Sequence, residues 1–258
     1  MTTKNTKTTS KKTSRNNGAR RVTEVAIEQP QIFEVALEIT GTAPLLQNCF
    51  NQKALEQMLR KHMGLSTQKE PKVPADCIER ATIRNEEGGV CIPSTAIKKA
   101  MLSAATLKKG LPKTRLRQQI FVEGNSIPIK YDRMEPQMDV VITSGIGRTP
   151  DIRFRPRFDG WSARLILSFA EGLAVQTVVD LLNCAGRVGV GEWRPEKDGT
   201  YGTFRVSRHI DLVDEIEEVR LAGMPYLKRL RIPDWAMSTE LSADMLKKIG
   251  DGYKEVAA

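Results

Sequence analysis

Gly186-Arg-Val-Gly-Val-Gly-Glu-Trp-Arg-Pro-Glu-Lys-Asp-Gly-Thr-Tyr-Gly-Thr-Phe-Arg-Val206 joins an apolar helical pattern to a strand-like run, and the arrangement of the whole chain turns on how it is read. Gly186, Gly189, Gly191, Gly199 and Gly202 are interleaved with Arg187, Arg194 and Lys197 and with the aromatics Trp193 and Tyr201. Glycine releases the backbone into φ > 0 and lets another backbone come close. Basic side chains suit phosphates, and flat rings suit stacked bases. No Gly-Lys-Ser/Thr closes the segment as in a Walker loop, and it follows a helix rather than the strand that precedes a dinucleotide fingerprint. Two readings are open. One is a loop that grips a nucleic-acid strand through Arg187, Trp193, Arg194 and Lys197. The other is a glycine-rich connection into a hairpin, with its arginines in solvent.

Working outward, Leu173 to Ala185 has helical spacing, with Val175, Val178, Val179 and Leu182 on the inner side. Trp161 to Phe169 and Ile152 to Phe158 alternate as strands around Asp159-Gly160, and Tyr201 to Ser207 is a further strand. Thr95 to Lys109 reads as a helix capped by Ser94 and stopped by Gly110 and Pro112. Ahead of it, Ala81–Arg84 and Val90–Ile92 read as a hairpin around the glycines at 88 and 89, and residues 64–74 as a polar loop. Asn51 to Met63 is expected to be helical, Gln31 to Thr40 to be a half-buried strand, and Leu241 to Val256 to be a last helix. Residues 113–150 look irregular. This order suits an α+β fold on an antiparallel sheet.

Arg153, Arg155 and Arg157 fall on one face of their strand, roughly 6.6 Å apart at a rise of about 3.3 Å per residue. That is close to the phosphate repeat of an extended single strand, and guanidinium forks suit phosphate oxygens. The row would otherwise be an exposed strand face that discourages edge pairing. Lys98 and Lys99, one turn into their helix, could reach a phosphate at its N-terminus, or stand in solvent.

The chain has 258 residues and a net charge of +9, of which residues 1–21 carry +7 with no acid, so the rest is nearly neutral. The tail, taken as residues 1–29, has the composition of a disordered segment, either a polycationic arm that binds nucleic acid by counterion release or a solubilising terminus. It lacks the apolar core of a secretory signal. Cys49, Cys77, Cys91 and Cys184 are far apart, which excludes the usual zinc spacing and suggests buried free thiols in a reducing cytoplasm. No metal, cofactor or membrane span is expected. His62 and His209 are the only histidines. His209 with Tyr201 could in principle activate a 2′-hydroxyl for RNA cleavage, although a histidine at a strand end is more often structural.

Taken together, the strand Phe33–Ile39 running into Ala43-Pro44-Leu45, the helix start Val90-Cys-Ile-Pro-Ser94, and Gly186 to Phe204 after their helix resemble the RAMP superfamily. These are the RNA-recognition-motif-derived proteins of CRISPR effector complexes, and the likeness is greatest to their repeated backbone subunit. The resemblance, which spans residues 31–206, implies a modified ferredoxin-like domain at 30–207 with helices on one face of the sheet. Residues 110–150 would be an inserted thumb-like arm, and 208–258 a C-terminal extension packed on the domain. It also implies sequence-independent binding of single-stranded RNA, with copies of itself and other effector subunits as partners; the family contains RNA endonucleases too, but without a convincing catalytic histidine here no enzymatic role is expected. The alternatives are a self-assembling scaffold whose acidic 211–218 segment receives a neighbour's basic loop, a phage single-stranded-DNA-binding protein, and an RNA-processing endonuclease.

Overall fold

Strand β1 (Ile32–Gly41) runs inside the larger sheet, where Val35, Leu37 and Ile39 turn one face to the main core. The computed structural model describes residues 30–67, 71–108, 110–142 and 149–237; the expected basic tail and the expected helix at 241–256 lie outside them. After β1 come β2 (Leu45–Leu46), α1 (Gln52–His62), α2 (Pro74–Ala81), β3 (Cys91–Pro93) and α3 (Ser94–Ala104). Then follow α4 (Lys113–Gln119), β4 (Ile120–Val122), β5 (Ser126–Lys130) and the long pair β6 (Arg133–Ile142) and β7 (Pro150–Asp159). The described chain closes with β8 (Ser162–Ala170), α5 (Val175–Val188), β9 (Phe204–Ile210), α6 (Val213–Gly223) and α7 (Asp234–Met237).

Across the large sheet the order is β3-β5-β8-β1-β9, with the short β4 also on β8. Here β1 and β8 pair antiparallel, matching Val35 to Leu167, Leu37 to Leu165 and Ile39 to Ala163, so both strands bury the same face. Taking β1, β5, β8 and β9 as the four strands and α3 and α5 as the crossovers gives the β-α-β-β-α-β order of a ferredoxin-like fold. The expected α+β antiparallel architecture is therefore present. Ile97, Met101 and Ala104 of α3 pack with Val178, Leu181, Leu182 and Ala185 of α5 in one core beneath the sheet.

Several boundaries differ from the sequence reading. Pro93, not Ser94, caps α3; Ser94 is its first residue, and its hydroxyl donates to Gly124 O at 2.9 Å. The span 110–150 is not one arm, because β4 and β5 take places beside β8 and only β6 with β7 forms an extended hairpin. Residues 74–81 form α2, so the hairpin expected at 81–92 shrinks to a single Arg84–Val90 bridge before β3. The sheet is not covered on one face alone: α6 lies on the other, where Val219 joins Ala36, Ile166 and Ile210. All four cysteines are free, but only Cys91 is fully buried, and burial pushes its thiol up to about 11.

Trp161, fully buried between β7 and β8, donates from Nε1 to Ala43 O at 2.8 Å and meets Phe204 edge-on. Trp161→Phe keeps the ring but orphans that carbonyl. It is expected to lower stability by about 1–3 kcal/mol in urea unfolding; a variant as stable as the parent would show that the Ala43 contact holds nothing in place.

Candidate nucleic-acid interface

The glycine segment is a layer of paired backbone. Thr42 N–H donates to Thr203 O and Gly202 N–H to Pro44 O, while Glu192 N–H reaches Leu46 O at 2.8 Å. Within the segment, Val190 N–H donates to Gly202 O and Tyr201 N–H to Trp193 O. Strands this close leave no room for side chains. A Cβ on Gly202 would lie 1.8 Å from Val190 O, and one on Gly199 would lie 1.8 Å from Trp193 O. Gly191 and Gly189 also have positive φ, Gly189 as the residue that ends α5. Gly186 is not in the loop: it sits in the last turn of α5, where a Cβ would strike Phe204 O. The glycines thus serve close approach, and the surface they build carries the polar groups.

That surface faces α3 across a cleft of about 370 Å³. Thr95, Ala96, Lys99 and Ala100 line one side, Gly189 to Glu192 with Arg194 and Glu196 the other, and Leu45, Gln47 and Asn48 the end. Gln47 is fixed there: its amide donates to Cys91 O at 3.0 Å and accepts from Ile83 N–H at 2.8 Å. Two of the expected contacts, Lys99 and Arg194, are brought together. Arg194 is braced, with one Nη on Gly191 O and its fork on Glu196. The Ser103 hydroxyl and then Arg194 hold the Glu196 carboxyl below the usual range. Trp193, between two lining residues, is 42% exposed and adopts φ +50, a left-handed conformation that bulky residues rarely take. Arg187 and Lys197 are exposed at the two ends of the segment.

Lys98 points elsewhere. Its ammonium sits 4.0 Å above the Phe121 ring, and burial, with Arg117 nearby, holds it below the ordinary lysine range. The arginine row needs a larger correction. Opposite Arg153, Arg155 and Arg157 on β6 stand Asp139, Gln137 and Glu135. Arg155 is 2% exposed and pairs with Asp139 at 3.1 Å. Arg157 pairs with Glu135 and with Asp159, whose carboxyl it holds below the usual range, with Arg133 assisting. Arg153 lies 3.9 Å from Asp151. The row is therefore balanced inside the hairpin, where α2 lies against β7, and it does not present three free guanidiniums to phosphates. The opposite face of the same hairpin is apolar and open, with Met138, Val140 and Ile142 each 63–64% exposed.

The acidic 211–218 segment, expected to receive a neighbour's basic loop, opens α6 and is partly neutralised within the chain: Glu215 pairs with Arg208 and Glu218 with Arg164. The imidazole of His209 is exposed on β9 and has no hydrogen-bond partner among the described residues. Among those residues, no group of three His, Cys, Asp or Glu is placed to hold a metal, and no helix is long and apolar enough to cross a membrane. Sequence reading missed a second crevice, between α1 and α2, lined by Lys61, Lys72 and Arg80. The available signal was basic residues on α1, on α2 and just ahead of α2, although Lys72 and Arg80 are paired with Asp151 and Asp76.

No family model matches the chain, and no curated protein matches it in sequence. Among solved structures it is similar to a chain of a Type III-B Cmr-beta complex bound to cognate target RNA, at 12% identity and a TM-score of 0.44. That match covers 69% of this chain and 60% of the other, so the chain spans less than two thirds of that protein's length. It is also similar to Cmr6 from Pyrococcus furiosus, at 11% identity, TM-score 0.35, and 69% and 100% of the two chains. A chain of a CRISPR RNA-guided surveillance complex matches at 10% identity, TM-score 0.34, and 87% and 85% coverage.

The paired arginine row has a direct check. Arg155→Ala strands Asp139 and is expected to cost about 3–5 kcal/mol, whereas Arg153→Ala at the exposed end should change stability by no more than about 0.5 kcal/mol. Equal effects in chemical denaturation would return Arg155 to the surface.

Proposed function

We propose that this chain binds single-stranded nucleic acid, RNA in particular, without reading its sequence, as one subunit of a multi-subunit ribonucleoprotein of the CRISPR-effector-backbone kind. The observation that carries the reading is the cleft between α3 and the glycine segment. There Lys99, the first turn of α3 and the braced Arg194 face one space, with the strained, exposed Trp193 beside it. Backbone N–H groups at a helix start favour anions, and Lys99 adds a mobile cation. A non-glycine residue at φ +50 is retained at a cost of order 1–3 kcal/mol. Stacking of one base on the indole returns about 1–3 kcal/mol. The Gln47 amide at the end of the cleft is committed to the backbone and does not read a base edge. The choice of RNA rests on the RAMP resemblance of residues 31–206. The contacts assigned are Lys99, Arg187, Trp193, Arg194 and Lys197, and the role is binding rather than cleavage.

A second reading, self-assembly as a scaffold, is favoured by the open apolar face of β6 and β7, a surface of the kind that marks protein contacts. Salt separates the two. A strand binder loses affinity steeply between about 50 and 200 mM salt, whereas a scaffold assembles with no such binding.

Lys99→Glu combined with Arg187→Glu should weaken binding of a single-stranded oligonucleotide by tenfold or more. It should also lower the slope of log affinity against log salt by about 1.4, two contacts at roughly 0.7 each. Both are read by fluorescence anisotropy, with unfolding unchanged. A double variant that binds with the parent's slope would remove the cleft as the binding surface.

A further inference from the structure

Glu192 is the one group in the cleft that phosphate binding does not explain. Its neighbour Glu196 is committed, one oxygen to the Ser103 hydroxyl and the other to Arg194. Glu192 lines the same space half-buried, and among the described residues no cation or donor meets its carboxylate. Its position is set by the backbone. Its N–H is tied to Leu46 O, and the residues on either side, Gly191 at φ +79 and Trp193 at φ +50, hold left-handed conformations. An ionised carboxylate only accepts hydrogen bonds, so it repels a phosphate. On a nucleic-acid strand it can be met by a ribose 2′-hydroxyl or by a base N–H. A base N–H is presented only by some bases, so a contact to it would make binding depend on sequence, against the sequence-independent grip proposed above. The 2′-hydroxyl, in contrast, recurs at every nucleotide of RNA whatever its sequence, and is absent from DNA.

We infer that Glu192 accepts a hydrogen bond from a ribose 2′-hydroxyl in this cleft and is the residue that selects RNA over DNA. This rests on the reading above that the cleft holds a single strand, and gives that reading a sugar-specific contact. The discrimination has two parts. With RNA the carboxylate gains a charge-assisted bond; with DNA it remains an uncompensated negative charge beside the phosphates.

The test uses one uridine and one cytidine sequence, each made as RNA, as 2′-fluoro RNA and as 2′-deoxy DNA, with binding measured by anisotropy for the parent, Glu192→Ala and Glu192→Gln. Fluorine keeps a ribose-like sugar pucker but removes the donor. The parent should bind RNA about tenfold or more tightly than either analogue. In Glu192→Ala the analogues should bind several-fold better than they bind the parent, and the RNA preference should fall to within about twofold. Glu192→Gln, which keeps an acceptor without the charge, should lie between. An unchanged preference in Glu192→Ala overturns the inference. So does a parent with no preference, or an effect that appears on cytidine strands but not uridine strands, which would mean that the carboxylate reads a base amine. A parent that binds none of the strands overturns the cleft reading itself, and this contact with it.

Discussion

The indole of Trp161 fills the volume that a side chain on residue 41 would need: a Cβ there would lie 2.2 Å from Nε1. With Gly41 N–H on Trp161 O and Trp161 Nε1 on Ala43 O, the chain leaves β1 on a fixed course. That course lays residues 42–46 against 202–203, and Leu46 against Glu192. Within the glycine segment the links are backbone to backbone, and at Gly199 and Gly202 they require a glycine to let the strands approach. One buried aromatic thereby decides where the glycine segment sits and how far it stands from α3. A cleft of this size between rigid walls is pre-organised, which reduces the ordering cost of taking a ligand.

The charge distribution follows from the same framework. Arg194 is held by Gly191 O and Glu196, and Glu196 by Ser103 of α3, so the two sides of the cleft are tied together through a carboxylate that is no longer free. The β6–β7 hairpin turns its arginines toward its own carboxylates and leaves apolar residues outside. The arginines of that hairpin are therefore not free cations on the folded surface. The cations that count are the ones whose neighbours are already spoken for or absent, such as Lys99 and Arg187.

How much of this was legible depends on the range of the interaction. The strands β1 and β8 were legible, because Val35, Leu37 and Ile39 in one and Ala163, Leu165, Leu167 and Phe169 in the other recur at every second position; their pairing and register were not. The α3 and α5 helices were also legible, through their apolar spacing. The glycines were visible, but not their reason, which lies in carbonyls of Val190, Trp193 and Phe204 that only folding brings near. The arginine row failed for a related cause. Alternation tells which residues share a face, and Arg153, Arg155 and Arg157 do. It does not tell what lies across from them: Pro136 argued against a strand there and hid the row of Glu135, Gln137 and Asp139. Glu192 carried no signal at all, since a lone acid in a glycine segment reads as surface.

The position of the cleft is itself a consequence of how the sheet is covered. In a ferredoxin-like sheet with α3 and α5 on one face, the opposite face is the broad surface open to a ligand. Here α6 lies on it, and ion pairs of Glu34 with Arg220, Glu38 with Arg208 and Arg164 with Glu218 span the rest. A ligand reaching those strands would have to displace both an apolar contact and several paired charges. The segments at the ends of the strands face no such competition. Residues 42–48 and 189–201 lie beside the first turns of α3, where helix N–H groups, a free lysine and an exposed indole meet. With α6 over the sheet, the proposed binding site falls at that junction, where it is shaped by loops held by Trp161 and Gly41 rather than by the strands.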